Sequence, residues 1–368
     1  MKVGSKIGVD TAMIAIGLMS GTSLDGVDAA VVETDGDGIS RLGETLGIPY
    51  PEDFRETLRQ LLGHNPHDLS NIQSVINDLT IRHADAVKAL LEKAGLKPEQ
   101  VDIIGFHGQT LFHEPNNAIT CQIGDGALLA KTTGIPVIND FRSNDVAHGG
   151  EGAPLAPAYH VALARNLERP VAFLNIGGVA NLTWISPDGG AVAFDTGPGN
   201  ALVDDWVNRH TGATMDENGA LARAGQVDDA VLARLLDHPY FLRPYPKSLD
   251  RDEFSLAPVN GLSVEDGAAT LSAFTSATVA EAAKLLPAKP LKWLVCGGGR
   301  HNRATMAGLR RYLAVPVEPV EAEGWDGDAL EAQAFGYLAV RALKGLALSY
   351  PQTTGVRYPL TGGVRYDP

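Results

Sequence analysis

Two stretches of the chain, one in each half, follow the same plan. Residues 14–33 read IAIGLMSGTSLDGVDAAVVE: an apolar run, a turn of small and hydroxyl residues, then a second apolar run through Val27, Ala29, Val31 and Val32. Residues 173–185 read FLNIGGVANLTWI, with Gly177 and Gly178 at the turn and Asn181 in the departing run. Apolar runs bounded by Gly and Ser predict buried strands joined by tight turns. A single polar hairpin is an ordinary feature. Two of them predict a duplicated fold with a ligand clasped between the copies.

The first turn, Ser20-Gly21-Thr22-Ser23-Leu24-Asp25-Gly26-Val27, offers N–H and hydroxyl donors suited to phosphate oxygens. Gly21 and Gly26 allow close backbone approach or positive φ. Asp25 is a poor phosphate contact by itself, but it suits a metal that bridges to one. A third cluster, Gly297-Gly298-Gly299, follows the apolar strand 291–296. Ligands gather at such strand ends in α/β folds. Familiar nucleotide loops do not match: the stretch Gly126 to Thr132 lacks the second glycine of a P-loop, and Gly124-Asp125-Gly126 does not extend to G-x-G-x-x-G.

Strand-like and helix-like segments alternate along the chain, which predicts an α/β architecture. Helices are expected over 51–62, 69–94, 125–133, 201–210, 263–286 and 328–348. A strand over 101–106 runs into His107-Gly108-Gln109-Thr110. The segment 238–254, rich in Pro and charge, reads as an exposed excursion, and the tail from Pro351 as irregular. With 368 residues, the chain is long enough for two domains.

Charge narrows the partners. A formal net charge of -14 argues against general nucleic-acid binding, which needs a basic footprint. No apolar stretch is long enough to span a membrane. The N-terminal run after Lys2 and Lys6 imitates a signal peptide without its cleavage site. Cys121 and Cys296 have no zinc spacing and form no disulfide framework, so a reducing cytoplasm is expected.

Asp195 follows an apolar strand and precedes Thr196-Gly197-Pro198-Gly199-Asn200. A carboxylate held there suits a general base; the alternative is a cap for the helix that starts near Ala201. His107 reads as a hydrogen-bonding pocket residue rather than a metal ligand, because no His/Asp/Glu spacing forms a cage. Arg142 and Asp145 lie in the loop DFRSNDVAHGGEGAPL, either at a site or as a surface ion pair.

Seven motifs resemble the anhydro-N-acetylmuramic acid kinase family: GLMSGTSLDGVD, GFHGQT, QIGDG, DFRSNDVAHGGEGAPL, NIGGVANLT, FDTGPGN and CGGGRHN. They run in family order over nearly the whole chain. The resemblance implies two related actin-like ATPase domains of ribonuclease H-like type, 1–139 and 140–350, with ATP and Mg²⁺ in the cleft. The tail 351–368 would pack back on the first domain. It further implies that both hairpins hold phosphates, with Asp25 reaching Mg²⁺, and that the Gly297–Gly299 turn lies near adenosine. Asp195 falls at the catalytic-base position, and His107, Thr110, Arg142, Asp145 and Glu331 at the sugar pocket. The implied reaction opens the 1,6-anhydro ring of 1,6-anhydro-N-acetylmuramic acid and phosphorylates O6, in a cytoplasmic homodimer that recycles peptidoglycan. Two departures bear on sugar recognition: Glu151 replaces an expected glutamine, and Leu249-Asp250 replace Thr-Gly. The rival readings are a kinase of another sugar, a non-catalytic nucleotide sensor and a paired-carboxylate glycosidase.

Overall fold

The structure is a computed structural model that describes residues 12–21, 23–65, 69 and 72–368. Thr22, the signal-like residues 1–11 and the start of the helix expected from 69 fall outside or at the edge of that range. Two mixed sheets form the frame. The first contains β1 (Met13–Ser20), β2 (Gly26–Thr34), β3 (Ile39–Pro49), β4 (Ile103–Glu114) and β6 (Val137–Asn139), in the order β3-β2-β1-β4-β6. The second contains β7 (Val171–Ile176), β8 (Val179–Ile185), β9 (Ala191–Pro198), β10 (Trp293–Cys296) and β11 (Val317–Pro319), in the order β9-β8-β7-β10-β11.

The two orders are the same. In each, three antiparallel strands form a meander, and two further strands join parallel to the first strand's other side. A duplicated strand order with matching directions is the ribonuclease H-like pattern expected of an actin-like fold. The first sheet has two additions: β5 (Ile119–Ile123) pairs with β4, and β12 (Val364–Tyr366) pairs antiparallel with β6. The tail is therefore not irregular throughout. Its last strand completes the sheet edge, where paired backbone groups replace exposed ones.

Helices link the parallel strands. On the outer face of the first sheet lie α1 (Glu52–Leu61), α2 (Ile72–Ala94) and α3 (Gly126–Thr133), which bury Leu58, Leu79, Val87, Leu90 and Leu129. The short α4 (Ser143–Ala147) interrupts the loop 140–155. Beyond the second sheet lie α6 (Ala201–Thr211), α7 (Ala220–Ala224), α8 (Asp229–Leu236), α9 (Val264–Ala283) and α10 (Arg303–Tyr312). Ser263 caps α9 by accepting from the Asp266 N–H at 3.1 Å, and Asn302 caps α10 in the same way through Ala304 and Thr305.

Between the sheets lie α5 (Pro157–Leu163) and α11 (Leu330–Leu343), in a core shared by Ala15 and Ile103 of one sheet and Phe173 and Leu294 of the other. Two strand glycines set the depth of α11. A Cβ on Gly17 would lie 1.7 Å from the Ala332 carbonyl oxygen, and one on Gly105 2.0 Å from that of Phe335. Only hydrogen at both positions lets the helix backbone lie flush on the sheet. That contact carries Glu331 and Phe335 to the junction of the two copies.

The segment 238–254 is an exposed excursion only in part: Leu242 stands 87% exposed, but the segment also anchors itself in the core. Tyr240, Lys247 and Phe254 are buried, and Tyr245 stacks on Phe194 with centroids 5.3 Å apart. Its aromatic residues outweigh the Pro and charge that suggested exposure. Near the end of the chain, α12 (Pro351–Thr354) packs against β9.

Candidate active site

Register places one row of polar residues across the second sheet. Asn181 is the cross-strand partner of both Asn175 and Asp195, and Cys296 is the partner of Asn175. Directly opposed residues share a face. Asn175, Asn181 and Asp195 are partly exposed among buried neighbours, so this face opens at the junction. Asn175 Nδ2 donates to Glu331 Oε1 at 3.3 Å, which ties α11 to the row.

Asp195 sits within β9 and caps no helix; Asn200 occupies the N-cap position of α6. Its Oδ2 accepts from the Leu249 N–H at 2.8 Å, and its carbonyl accepts from the Tyr240 hydroxyl at 2.6 Å. Loss of hydration pushes its carboxyl up to about 7; Glu151 adds to the rise, while the Leu249 N–H and Lys247 oppose it. A carboxyl poised near neutrality can accept and release a proton. Lys247, whose Nζ donates to the Tyr240 carbonyl at 3.1 Å, is itself pushed down to about 8 by burial.

His107 of the first copy and Arg142 of the loop after β6 stand opposite this row. His107 Nδ1 donates to the Gly108 carbonyl at 2.8 Å, which leaves Nε2 to accept from Arg142 at 3.0 and 3.2 Å. Burial and the guanidinium both hold His107 well below its usual range, so the ring is neutral. Arg142 also donates to the Gly152 carbonyl at 2.7 Å; burial draws it down to about 10, and Glu331 and Asp145 resist that shift. Glu331 is open to solvent on one side but crowded by protein elsewhere, and its carboxyl is raised by loss of hydration. Arg142 is thus half-buried and hydrogen-bonded, not half of a surface ion pair.

Asp145 is buried, with Oδ1 accepting from the Gly152 N–H at 2.7 Å and Oδ2 from the Thr354 hydroxyl at 2.6 Å. It ties the loop to α12. Thr110, partly exposed on β4, accepts from Gln122 at 3.3 Å. His107 and Thr110 both stand on β4, which continues past the expected strand end.

The glycine clusters separate into two kinds. Around Gly21, Gly177, Gly178 and Gly298, an added Cβ would meet nothing closer than 3.6 Å, so these backbones border open space. By contrast, Cβ atoms on Gly26, Gly297 and Gly299 would strike Ile48, Asn175 and Ile176 within 2.3 Å. In the first turn, the Ser20 hydroxyl donates to Gln109 Oε1 at 2.6 Å and accepts from Tyr50 at 2.9 Å. Leu24 and Val27 bury their side chains, leaving only their backbone groups for a ligand, and Ser23 is exposed. The second turn is sewn to the loop after Asp195: the Gly177 and Gly178 carbonyls accept from the Asn200 and Gly199 N–H groups at 2.7 and 2.9 Å.

Carboxylates converge near the first turn. Asp25 is exposed, 3.8 Å from Arg55. Asp28 is open to solvent on one side and Asp204 is partly exposed; both are raised to about 7, by crowding that strips hydration and by neighbouring carboxylates that include Asp25. Among the described residues, no three His, Cys, Asp or Glu side chains form a ready metal cage. One or two carboxylates beside phosphates would suit Mg²⁺, which keeps most of its own waters.

The family model for anhydro-N-acetylmuramic acid kinase matches residues 13–368. The chain belongs to the anhydro-N-acetylmuramic acid kinase family. It is similar to the anhydro-N-acetylmuramic acid kinase of Rhodospirillum rubrum, 57% identical over 94% of this chain and 92% of that one. Its likeness to the enzyme of the same name from Acidiphilium cryptum is 57% identity over 94% and 95% of the two chains. Membership of this family makes the chain a kinase, an enzyme that uses ATP. No helix among the described residues is long and apolar enough to cross a membrane.

Reading the sequence missed Asn175, Asp28, Asp204, Lys247 and Ser248 as residues of this region. Asn175 did leave a trace, as a polar residue inside the apolar run FLNI. Lys247 and Ser248 directly precede the Leu249-Asp250 departure noted in the sequence, but only the folding of their segment over β9 brings them to Asp195.

Proposed function

We propose that the chain hydrolytically opens the 1,6-anhydro ring of 1,6-anhydro-N-acetylmuramic acid and phosphorylates O6 from ATP. The products are N-acetylmuramic acid 6-phosphate and ADP, in cytoplasmic peptidoglycan recycling. The observation that carries this reading is Asp195, a carboxyl held near neutrality on the strand that leads into the loop bonded to the open glycine turn. Asp195 takes a proton from water as the water oxygen bonds C1. The C1–O6 bond breaks, and O6 bonds the γ-phosphorus as ADP leaves. Such a transfer relies on positioning and on donors aimed at the phosphoryl oxygens.

The open turns at Gly21 and at Gly177-Gly178 supply backbone groups for the phosphates, with Ser20, Ser23 and Asn181 close by. The turn Gly297–Gly299 stands at the adenosine end. His107, Thr110, Arg142, Asn175 and Glu331 line the sugar side, and Asp145 holds the loop that carries Arg142. Asp25 would hold Mg²⁺, with Asp28 and Asp204 near enough to act through its waters. The ion would supply charge neutralisation at the β- and γ-phosphates. Domains at 1–139 and 140–350 and a homodimer complete the reading. The β12–β6 pairing supports placing the tail with the first domain, while α11 packs mainly on that domain's sheet.

Incubation with MgATP and the anhydro sugar in ¹⁸O-water, followed by mass spectrometry, tests the reaction. A phosphorylated product with ¹⁸O at C1, lost in Asp195→Asn, is expected. Phosphorylation of ordinary hexoses alone would sink the assignment.

A further inference from the structure

One three-residue segment grips Asp195 from two sides. The Asp195 N–H donates to the Lys247 carbonyl at 3.0 Å, and its Oδ2 accepts from the Leu249 N–H at 2.8 Å. Between those contacts, the Ser248 hydroxyl donates to Glu151 Oε2 at 2.7 Å. Glu151 comes from the loop after α4, and its backbone is well anchored. Its N–H donates to the Thr354 carbonyl at 2.6 Å, and Gly152 beside it is bonded to both Asp145 and Arg142. A fixed backbone thus extends one carboxylate across to the segment that clamps another.

We propose that Glu151 is a positioning residue for Asp195: it latches the Lys247–Leu249 clamp and sets a second negative charge beside the base. The inference rests on the reading of Asp195 as the base. Two roles are separable. The latch needs only an acceptor for Ser248, which a glutamine would also supply. The charge needs the carboxylate, and it raises the affinity of Asp195 for a proton.

The charged and titratable groups around Asp195 are few. Glu151 and loss of hydration push its carboxyl up, and Lys247 pulls it down. Tyr240 meets it through the backbone carbonyl. His113, from β4, faces Glu151 and is held low by burial and Arg142. Arg243 acts on Lys247 rather than on Asp195. Removing the Glu151 charge therefore leaves Lys247 less opposed, and Asp195 should ionise at lower pH.

The test is a ¹³C-carboxyl NMR titration of Asp195, assigned by its loss in Asp195→Asn, together with pH profiles of kcat/KM. Wild type, E151Q, E151A and S248A would be compared. In E151Q, the Asp195 titration and the acid limb should both fall by about half to one pH unit. In S248A, the plateau kcat should fall roughly tenfold through misplacement of the base, with the acid limb no lower than in wild type. E151A should combine both effects, and if it fails to fold, the other two variants still decide. An unmoved Asp195 titration in E151Q, or an unimpaired plateau in S248A, overturns the proposal. Turnover that survives in Asp195→Asn would instead sink the base assignment. The titration needs no turnover and would still report whether Glu151 acts on Asp195.

Discussion

The Asp195 carboxylate accepts the backbone N–H of Leu249 at 2.8 Å, across a separation of 54 residues. Because a main-chain group makes this contact, any residue but proline at 249 can supply it. The departure from Thr-Gly at positions 249 and 250 therefore leaves the hold on Asp195 intact.

Asp195→Asn should lower kcat by about 10²–10⁴-fold, the usual contribution of a general base. In wild type, kcat/KM should fall as pH drops through about 7, where Asp195 takes up a proton. Stability should move the other way. The folded carboxyl binds its proton more tightly than the unfolded one, so Asp195 favours the fold most below the unfolded value. That contribution is lost as pH rises towards about 7. Thermal melts at pH 8 should therefore show Asp195→Asn melting higher than wild type, and a lower melting temperature would contradict the account of a carboxyl raised by loss of hydration.

Arg142→Lys should raise KM for the sugar about tenfold or more, because one ammonium cannot span His107 Nε2 and the Gly152 carbonyl as the guanidinium does. Steady-state kinetics check this, and KM for ATP should change little. If the two KM values rise together, Arg142 is not confined to the sugar side.

The two kinds of glycine should respond in opposite ways. Gly178→Ala places its Cβ 3.8 Å from Ala201, in ordinary contact, so the melting temperature should hold while KM for ATP rises. Gly17→Ala drives a Cβ into the backbone of α11 and should destabilise by about 3 kcal/mol or more. Thermal melts with ATP titrations separate the outcomes. A stable Gly17→Ala would refute the flush seating of α11.

Thr354→Val removes the donor to Asp145 Oδ2 and leaves a buried carboxylate oxygen without its partner. The expected loss is about 1–3 kcal/mol, read as a lower urea midpoint. A midpoint unchanged from wild type would mean that the tail does not secure the loop 140–155.

Chelation of divalent cations should abolish turnover, and Asp25→Asn should raise the Mg²⁺ concentration for half-maximal rate. Asp28 and Asp204, both raised to about 7, should ionise at lower pH when Mg²⁺ and nucleotide bind. Proton release on binding, measured by calorimetry in two buffers, checks the sign: protons should leave the protein.

Much of the frame was legible along the chain. Both hairpins, the helices between the strands and the placement of Asp195 after an apolar strand are local signals, carried by residues a few positions apart. Duplication was legible too, since each copy repeats its own pattern of strand, glycine turn and strand. The segment 238–254 and the tail were misread in part, and for one reason. Pro, Gly and charge mark both surface loops and irregular segments folded over a site, and composition does not tell the two apart.

Local chemistry thus determined which residue types stand at the strand ends, and with them the fold class and the family. Tertiary structure alone decided the rest. It placed Asn175, Asn181 and Asp195 in one cross-strand row, neutralised His107 beside Arg142, and brought Lys247, Ser248 and Glu151 to Asp195. Those relationships depend on strand register and on burial, which sets how strongly each charge is felt. Both arise only when segments far apart in sequence come within a few ångströms of one another.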